Sequence, residues 1–335
     1  MYLGEDDLGD DWRMKLEAIG GVTTRDLSKM VNDSGWELKG WASKAFALLM
    51  SSFREVIYLD ADALFFVNPE TLFDDPGYTD TGALFFRDRV LNAGGDRKEW
   101  LKSILPKPIS RRAQESRYWT GDGSEQQESG AMAIDKWRHM MALLTITRMN
   151  GPDRGDDPVT GAKGVYSMFY GDKETFWLGF ELAGDTDYSF HTGPCGNMGT
   201  VSQTTTLHYP KIPVLSQEQA EKDQAQAKQD NRTHFLYTVR SPQLLHLDRN
   251  GRPLWWNGWI LDDKYLDDKS SKVSKLDVYM SEVQETGEPT DWVVHAHNMA
   301  TLRSDQAHAF SEGERGVLDM IVQVARDNGV LGKDQ

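Results

Sequence analysis

Apolar residues at Trp41, Ala45, Leu48, Leu49 and Phe53 recur at the spacing of one helix face and predict a helix over 41–53. Directly after it, Val56-Ile57-Tyr58-Leu59 is a continuous β-rich apolar run, the pattern of a strand covered on both faces. Asp60-Ala61-Asp62 ends that run. Asn68-Pro69 reads as a helix start, with Asn68 capping and Pro69 at the first helical position. Ala83–Phe86 and Ala131–Ile134 are two more short core strands, and Asp135 is placed to cap a helix over Lys136–Arg148. Met1-Tyr2-Leu3 has the look of a strand's end, running into the acidic turn Gly4–Asp11 and a helical stretch Trp12–Ala18. Pro106–Glu128 reads as a long loop carrying Arg111, Arg112, Arg117 and Tyr118-Trp119. Gly151–Gly164 is a second loop, and an amphipathic helix begins near Asp172. Ser216–Arg232 is almost wholly polar and charged and reads as a solvated insertion. Gln243–Leu247 is a late strand, followed by the turn Asn250-Gly251 and the tryptophan-rich Trp255–Trp259; residues 277–335 read as a mostly helical tail. Strands alternating with helices predict an α/β fold, a mainly parallel central sheet flanked by helices, in a single domain over 1–335.

Charge narrows the function. The 335 residues carry 52 acidic against 37 basic side chains, a net −15, which disfavours nucleic acid and anionic membrane surfaces and suits divalent cations. A single cysteine, Cys195, excludes an internal disulfide framework. The chain shows neither a membrane span nor a signal-peptide pattern. The sequons Asn32-Asp33-Ser34 and Asn231-Arg232-Thr233 are too short a motif to carry an argument.

The strongest chemical signal is the apolar strand followed by Asp60-Ala61-Asp62. Open α/β sheets bind ligands at the carboxyl ends of their strands. Two carboxylates one residue apart at such an edge can share a hard cation that bridges the oxygens of a diphosphate leaving group. The second signal is His246-Leu247-Asp248-Arg249-Asn250-Gly251-Arg252-Pro253-Leu254-Trp255. It resembles the histidine-glycine-lysine-proline-tryptophan signature of glycogenin-like retaining transferases, with Arg252 for the usual lysine, one extra residue before the glycine and Leu254 inserted before Trp255. That likeness makes His246 a third metal ligand beside Asp60 and Asp62, and Arg252 a diphosphate neighbour. Asp172 and Glu174, opening the helix with Trp177 and Glu181, are candidate catalytic carboxylates, since a retained anion suits the cationic transition state of glycosyl transfer. The same pair also reads as ordinary helix capping. Gly130, in Ser129-Gly130-Ala131, permits close approach of a ligand or simply tight packing. Trp255, Trp256 and Trp259 offer faces for a sugar or fill the core.

Ser51–Phe66 as a block closely resembles the core of the fungal α-1,3-mannosyltransferase family, as do Gln127-Glu128-Ser129-Gly130, Gly171–Gly179, and Pro242–His246 with the Gly-Arg-Pro-Leu-Trp-Trp-Asn-Gly that follows. The blocks run in the same order from Tyr2 to Trp259. The resemblance implies a GT-A nucleotide-diphospho-sugar transferase fold and a Mn²⁺-dependent retaining enzyme, with Mg²⁺ as the alternative metal. It implies transfer of α-mannose from GDP-mannose to a mannose-terminated N- or O-glycan of a glycoprotein. It further implies residence in the Golgi lumen, through an N-terminal membrane anchor that, with the first strand of the fold, would lie upstream of Met1. Two rival readings stand beside it: a non-catalytic sugar-binding or scaffold protein, and a haloacid-dehalogenase-type phosphatase with Asp60 as nucleophile. Ala63 and the Gly-Arg-Pro-Leu-Trp block argue against the second.

Overall fold

The computed structural model describes residues 1–90, 97–201, 237–261, 272–283, 291–294, 299–304, 306–329 and 331. The expected insertion at 216–232 and the second sequon lie outside them. In chain order the first strands are β1 (Glu55–Leu59), β2 (Ala63–Phe65), β3 (Ala83–Arg87), β4 (Gln127–Asp135) and β5 (Ser189–Phe190). From Cys195 onward follow β6 (Cys195–Gly199), β7 (Tyr237–Ser241), β8 (Leu244–Leu247), β9 (Pro253–Asn257), β10 (Val278–Ser281), β11 (Asp291–Val294), β12 (Ala300–Ser304) and β13 (His308–Ala309). They belong to two units. One is drawn from Met1–Tyr58, Leu72–Phe86 and Gly94–His191, the other from Leu59–Thr71, Arg87–Ala93 and Thr192–Gln335.

The first unit holds a sheet of order β1-β4-β3-β5, in which β3 and β5 pair in parallel. All nine positions of β4 are buried, although its first half, Gln-Glu-Ser-Gly, is polar. Only the apolar Ala131–Ile134 announces it as a strand. Helices Met140–Met149 and Thr175–Ala183 share one core with it, through Leu143, Ile146, Phe176, Trp177 and Phe180 packed with Phe85, Met132 and Ile134. The helix expected over 136–148 starts later because Asp135 first closes a turn, its carboxylate accepting from Trp137 N–H at 3.0 Å and pairing with Arg54 at 2.9 Å. The loop 106–128 contains two one-turn helices, Arg111–Gln114 and Arg117–Thr120, capped by Ser110 and Ser116. The first expected helix is Ser43–Met50 behind a 3-10 turn at Gly40–Ala42; it buries Ala45 and Leu48 but leaves Trp41 47% and Phe53 68% exposed.

The second unit is built on a six-stranded sheet, β13-β10-β6-β8-β9-β2, with a three-stranded sheet β11-β12-β7. Every ladder in both is antiparallel. The protein is mixed α/β with mostly antiparallel sheets, and β3 with β5 in the first unit is a parallel pairing. Residues 277–335 are corrected, since four strands precede their one described helix, Glu312–Asp327. A capping box starts that helix, Ser311 and Glu314 each accepting from the other's backbone N–H. Leu318, Val317 and Ile321 lay its apolar face against Phe66, Trp256, Tyr279 and Phe310. Among the described residues no helix is long and apolar enough to cross a membrane.

Candidate active site

The aspartate pair sits in the second unit, in a tight turn between β1 and β2. Ala63 N–H donates to the Asp60 carbonyl at 3.0 Å, so Ala61 and Asp62 are the two central residues of a four-residue turn. Both aspartates are partly exposed and Ala61 is exposed. The turn is held from one side by β9, whose register sets Ala63 opposite Asn257, Leu64 opposite Trp256 and Phe65 opposite Trp255. One step further, Gly258 N–H donates to the Asp62 carbonyl at 3.1 Å. Gly258 has φ 149°, and a Cβ there would stand 3.2 Å from Gln243 Cα, so this backbone can approach only as glycine. Gly258→Ala is expected to lower stability by about 1–3 kcal/mol, the strain of a side chain forced into that conformation. Urea unfolding checks it, and an unchanged midpoint at equal slope contradicts it.

The later signature block does not converge on the pair. β8 and β9 form a hairpin in which His246 lies opposite Trp255. The His246 ring stacks on Trp255 at 4.1 Å, and Trp255 stacks on Phe65 at 5.7 Å. Three rings thus form a ladder across β8, β9 and β2, the cross-strand packing that stabilises sheets. His246 is 2% exposed and its Nδ1 lies 3.9 Å from Cys195 Sγ on β6. It stands two strand spacings, roughly 10 Å, across from β2. Among the described residues no group of three or more His, Cys, Asp or Glu side chains is arranged to hold a metal ion. Arg252 is drawn elsewhere as well. It pairs with Glu314 of the C-terminal helix at 2.7 Å, at the end of β9 remote from Asp62. Asn257 lies five residue steps along extended chain from Arg252, roughly 17 Å. The Asp248 carboxylate accepts from Asn250 and Arg252 N–H, both at 2.8 Å, and shapes the hairpin loop that carries Arg252 there.

The remaining candidates meet in the first unit, where Gln127–Gly130 of β4 lies against the start of the helix Thr175–Ala183. Glu174 is fully buried. Its Oε1 accepts from Gln126 and Gln127 N–H at 2.8 and 3.2 Å, and its Oε2 accepts from the Trp177 indole. Gln127 Oε1 returns the tie by accepting from Trp177 N–H at 3.1 Å. Burial pushes the Glu174 carboxyl up to about 8, with the charge of Glu125 acting in the same direction and the indole and amide donors opposing it. A carboxyl so enclosed clamps helix to strand. Asp172, 2% exposed, has Lys44 Nζ 3.6 Å from its Oδ2, and that lysine also donates to Ser129 Oγ at 3.1 Å. Lys173 stands 3.2 Å from Glu128, whose other oxygen accepts from Gly130 N–H at 2.8 Å. Gly130's donor is thereby engaged within its own strand.

Sequence reasoning missed Lys44, Glu128 and Lys173 as members of this charged group, and Gly258 as the support of the Asp62 turn. Lys44 lies 85 residues from Ser129, and no periodicity signals such a pair. Gly258, by contrast, stands in the quoted Trp-Trp-Asn-Gly block, and a glycine ending a buried strand is the available signal.

Comparison with known proteins bears on what these two places serve. A family model described as "Mannosyltransferase putative" matches residues 4–248. "Putative alpha-1,3-mannosyltransferase MNN15" of Candida albicans is 28% identical over 65% of this chain and 26% of its own length. Alpha-1,3-mannosyltransferases MNT2 and MNT3 of Saccharomyces cerevisiae are 26% and 28% identical over 66% and 65% of this chain, which is 37% and 34% of their lengths. The aligned stretch therefore spans well under half of each relative. With the match running through the aspartate turn, β4 and the Asp172 helix as far as β8, the chain belongs to this mannosyltransferase family.

Proposed function

We propose that the protein is a retaining α-mannosyltransferase of GT-A type, which moves mannose from GDP-mannose to a mannose-terminated N- or O-glycan of a glycoprotein in the Golgi lumen. The observation that carries this reading is the pair Asp60 and Asp62, presented on one partly exposed turn inside the segment matched to a mannosyltransferase family. Two carboxylates suit a hard cation that takes its remaining ligands from diphosphate oxygens and water. Mn²⁺, or Mg²⁺ in its place, would be held by Asp60 and Asp62 and would supply charge stabilisation to the departing diphosphate. Asp172, with Lys44 Nζ 3.6 Å from its Oδ2, is proposed as the catalytic carboxylate; Glu174 and Gln127 position its helix. The relatives' printed names supply the α-1,3 linkage as the first one to test.

A sugar-nucleotide hydrolysis screen with and without Mn²⁺ tests the reading. GDP-mannose is expected to be turned over preferentially and only with metal. Turnover of no sugar nucleotide, with glycan binding intact, favours a sugar-binding protein, a reading to which the dispersal of His246 and Arg252 lends weight.

A further inference from the structure

Trp41 is expected from its spacing to face the core, yet it is 47% exposed, and Tyr170 beside it is 59% exposed. Their rings are 5.0 Å apart and tilted by 53°. The indole is backed from beneath by the chain itself. A Cβ on Gly171 would lie 2.8 Å from Trp41 Cε3 and 3.1 Å from Cδ2, so the six-membered ring rests on a bare backbone at φ 66°. Three residues beyond Trp41, at helical spacing, Lys44 reaches Asp172 and Ser129; one residue beyond Gly171 is Asp172 itself. The aromatic pair and the buried charged group are thus two sides of one place, built by residues 40–44 and 170–173.

We propose that Trp41 and Tyr170 form a stacking platform for a pyranose ring of the mannosyl acceptor. This rests on the transferase reading above and names the acceptor side of it. Single exposed rings are common on this surface. Trp41 and Tyr170, however, stand side by side as one continuous aromatic patch next to buried charged groups, the kind of exposed patch that marks a binding surface. The C–H face of a hexose is apolar and its rim is hydroxylated, so it matches an aromatic surface bordered by charged hydrogen-bonding groups. The platform's openness favours the acceptor over the donor sugar. A donor sugar about to lose its diphosphate must be screened from water, whereas the end ring of an extended glycan is bound at the surface with the rest of its chain in solvent. Tyr170 adds a phenol hydroxyl as a polar tip, the combination that places aromatic residues at wet binding surfaces.

Saturation-transfer NMR with methyl α-mannoside and with a mannotriose tests the platform, alongside GDP-mannose hydrolysis on the same preparation. The parent protein is expected to bind both sugars, and Trp41→Ala and Tyr170→Ala to weaken binding by about tenfold or more. Trp41→Phe keeps a ring and is expected to lose less. Gly171→Ala displaces the indole without removing it and is expected to weaken binding comparably to Trp41→Ala, which keeps the test alive should Trp41→Ala not fold. Trp137→Ala, at an exposed tryptophan under Arg54, is the control and is expected to bind as the parent does. Parent-like binding by both Trp41→Ala and Tyr170→Ala, or no mannoside binding by the parent, overturns the platform. Donor hydrolysis without mannoside binding at these rings ends this inference alone. Mannoside binding lost with Trp41 in a protein that turns over no donor keeps the platform and ends the transferase reading.

Discussion

Asp62→Ala is expected to reduce metal-dependent GDP-mannose turnover by about 10²–10³-fold, the loss typical when a group stabilising transition-state charge is removed. The turn should survive the change. The bonds from Ala63 and Gly258 N–H run to the Asp60 and Asp62 carbonyls, which alanine retains, and β2 stays paired along β9. Turnover and fold therefore separate. Steady-state release of GDP with and without Mn²⁺ gives the first, and the thermal midpoint gives the second. Asp60→Ala is expected to behave alike, since neither carboxylate alone makes a bidentate set. A variant that keeps a substantial fraction of parental turnover at saturating metal would remove the aspartate pair from the mechanism.

Glu174→Ala is expected to destabilise the first unit severely, by about 3–5 kcal/mol. Truncation strands the Gln126 and Gln127 amides and the Trp177 indole without an acceptor and opens a cavity between β4 and the helix Thr175–Ala183. Its pH behaviour has a defined sign. The folded carboxyl titrates near 8 against an ordinary value of 4.5, because burial and Glu125 both disfavour the anion. A raised folded pKa means that the folded state binds the proton more tightly. The resulting stabilisation is fully present below about 4.5 and is lost as pH rises through about 8. The thermal midpoint should accordingly fall between pH 5 and pH 8.5, on the order of that window. Glu174→Gln keeps the shape without the titration, so its midpoint should be lower overall and flatter across the same range. Equal slopes in the two proteins would exclude Glu174 as the titrating group.

Much of the local structure is legible from the chain, and the exceptions have physical causes. The apolar run Val56–Leu59 and the helix around Ala45 and Leu48 follow directly from hydrophobic period. β4 is only half legible, because its polar Gln-Glu-Ser-Gly half is buried by ion pairs and hydrogen bonds that lie far off in sequence. Alternation of strands and helices predicts a parallel sheet, whereas the described strands from Cys195 to Ala309 pair as antiparallel ladders. Strand direction is a tertiary property that alternation alone does not report. The aspartate pair stays where the strand-end argument put it, on a turn. His246 and Arg252 do not join it, since pairing along β9 spaces them by register, and a short signature with an inserted residue carries no register of its own. Glu174 shows the matching limit for carboxylates: helix-start position is readable, but whether the side chain turns inward is decided by Gln127 and Trp177.

The claim that everything else depends on is that Asp60 and Asp62 hold a cation shared with a nucleoside diphosphate. Electron paramagnetic resonance of Mn²⁺ titrated into the protein, with and without GDP, tests it directly. Two carboxylates are too few ligands to bind the metal tightly alone, so the account predicts weak binding without nucleotide and a marked gain when GDP is added. It predicts that the gain vanishes in the Asp60→Ala, Asp62→Ala double variant. Tight Mn²⁺ binding that needs no GDP, or a GDP-dependent signal that survives in the double variant, would contradict it.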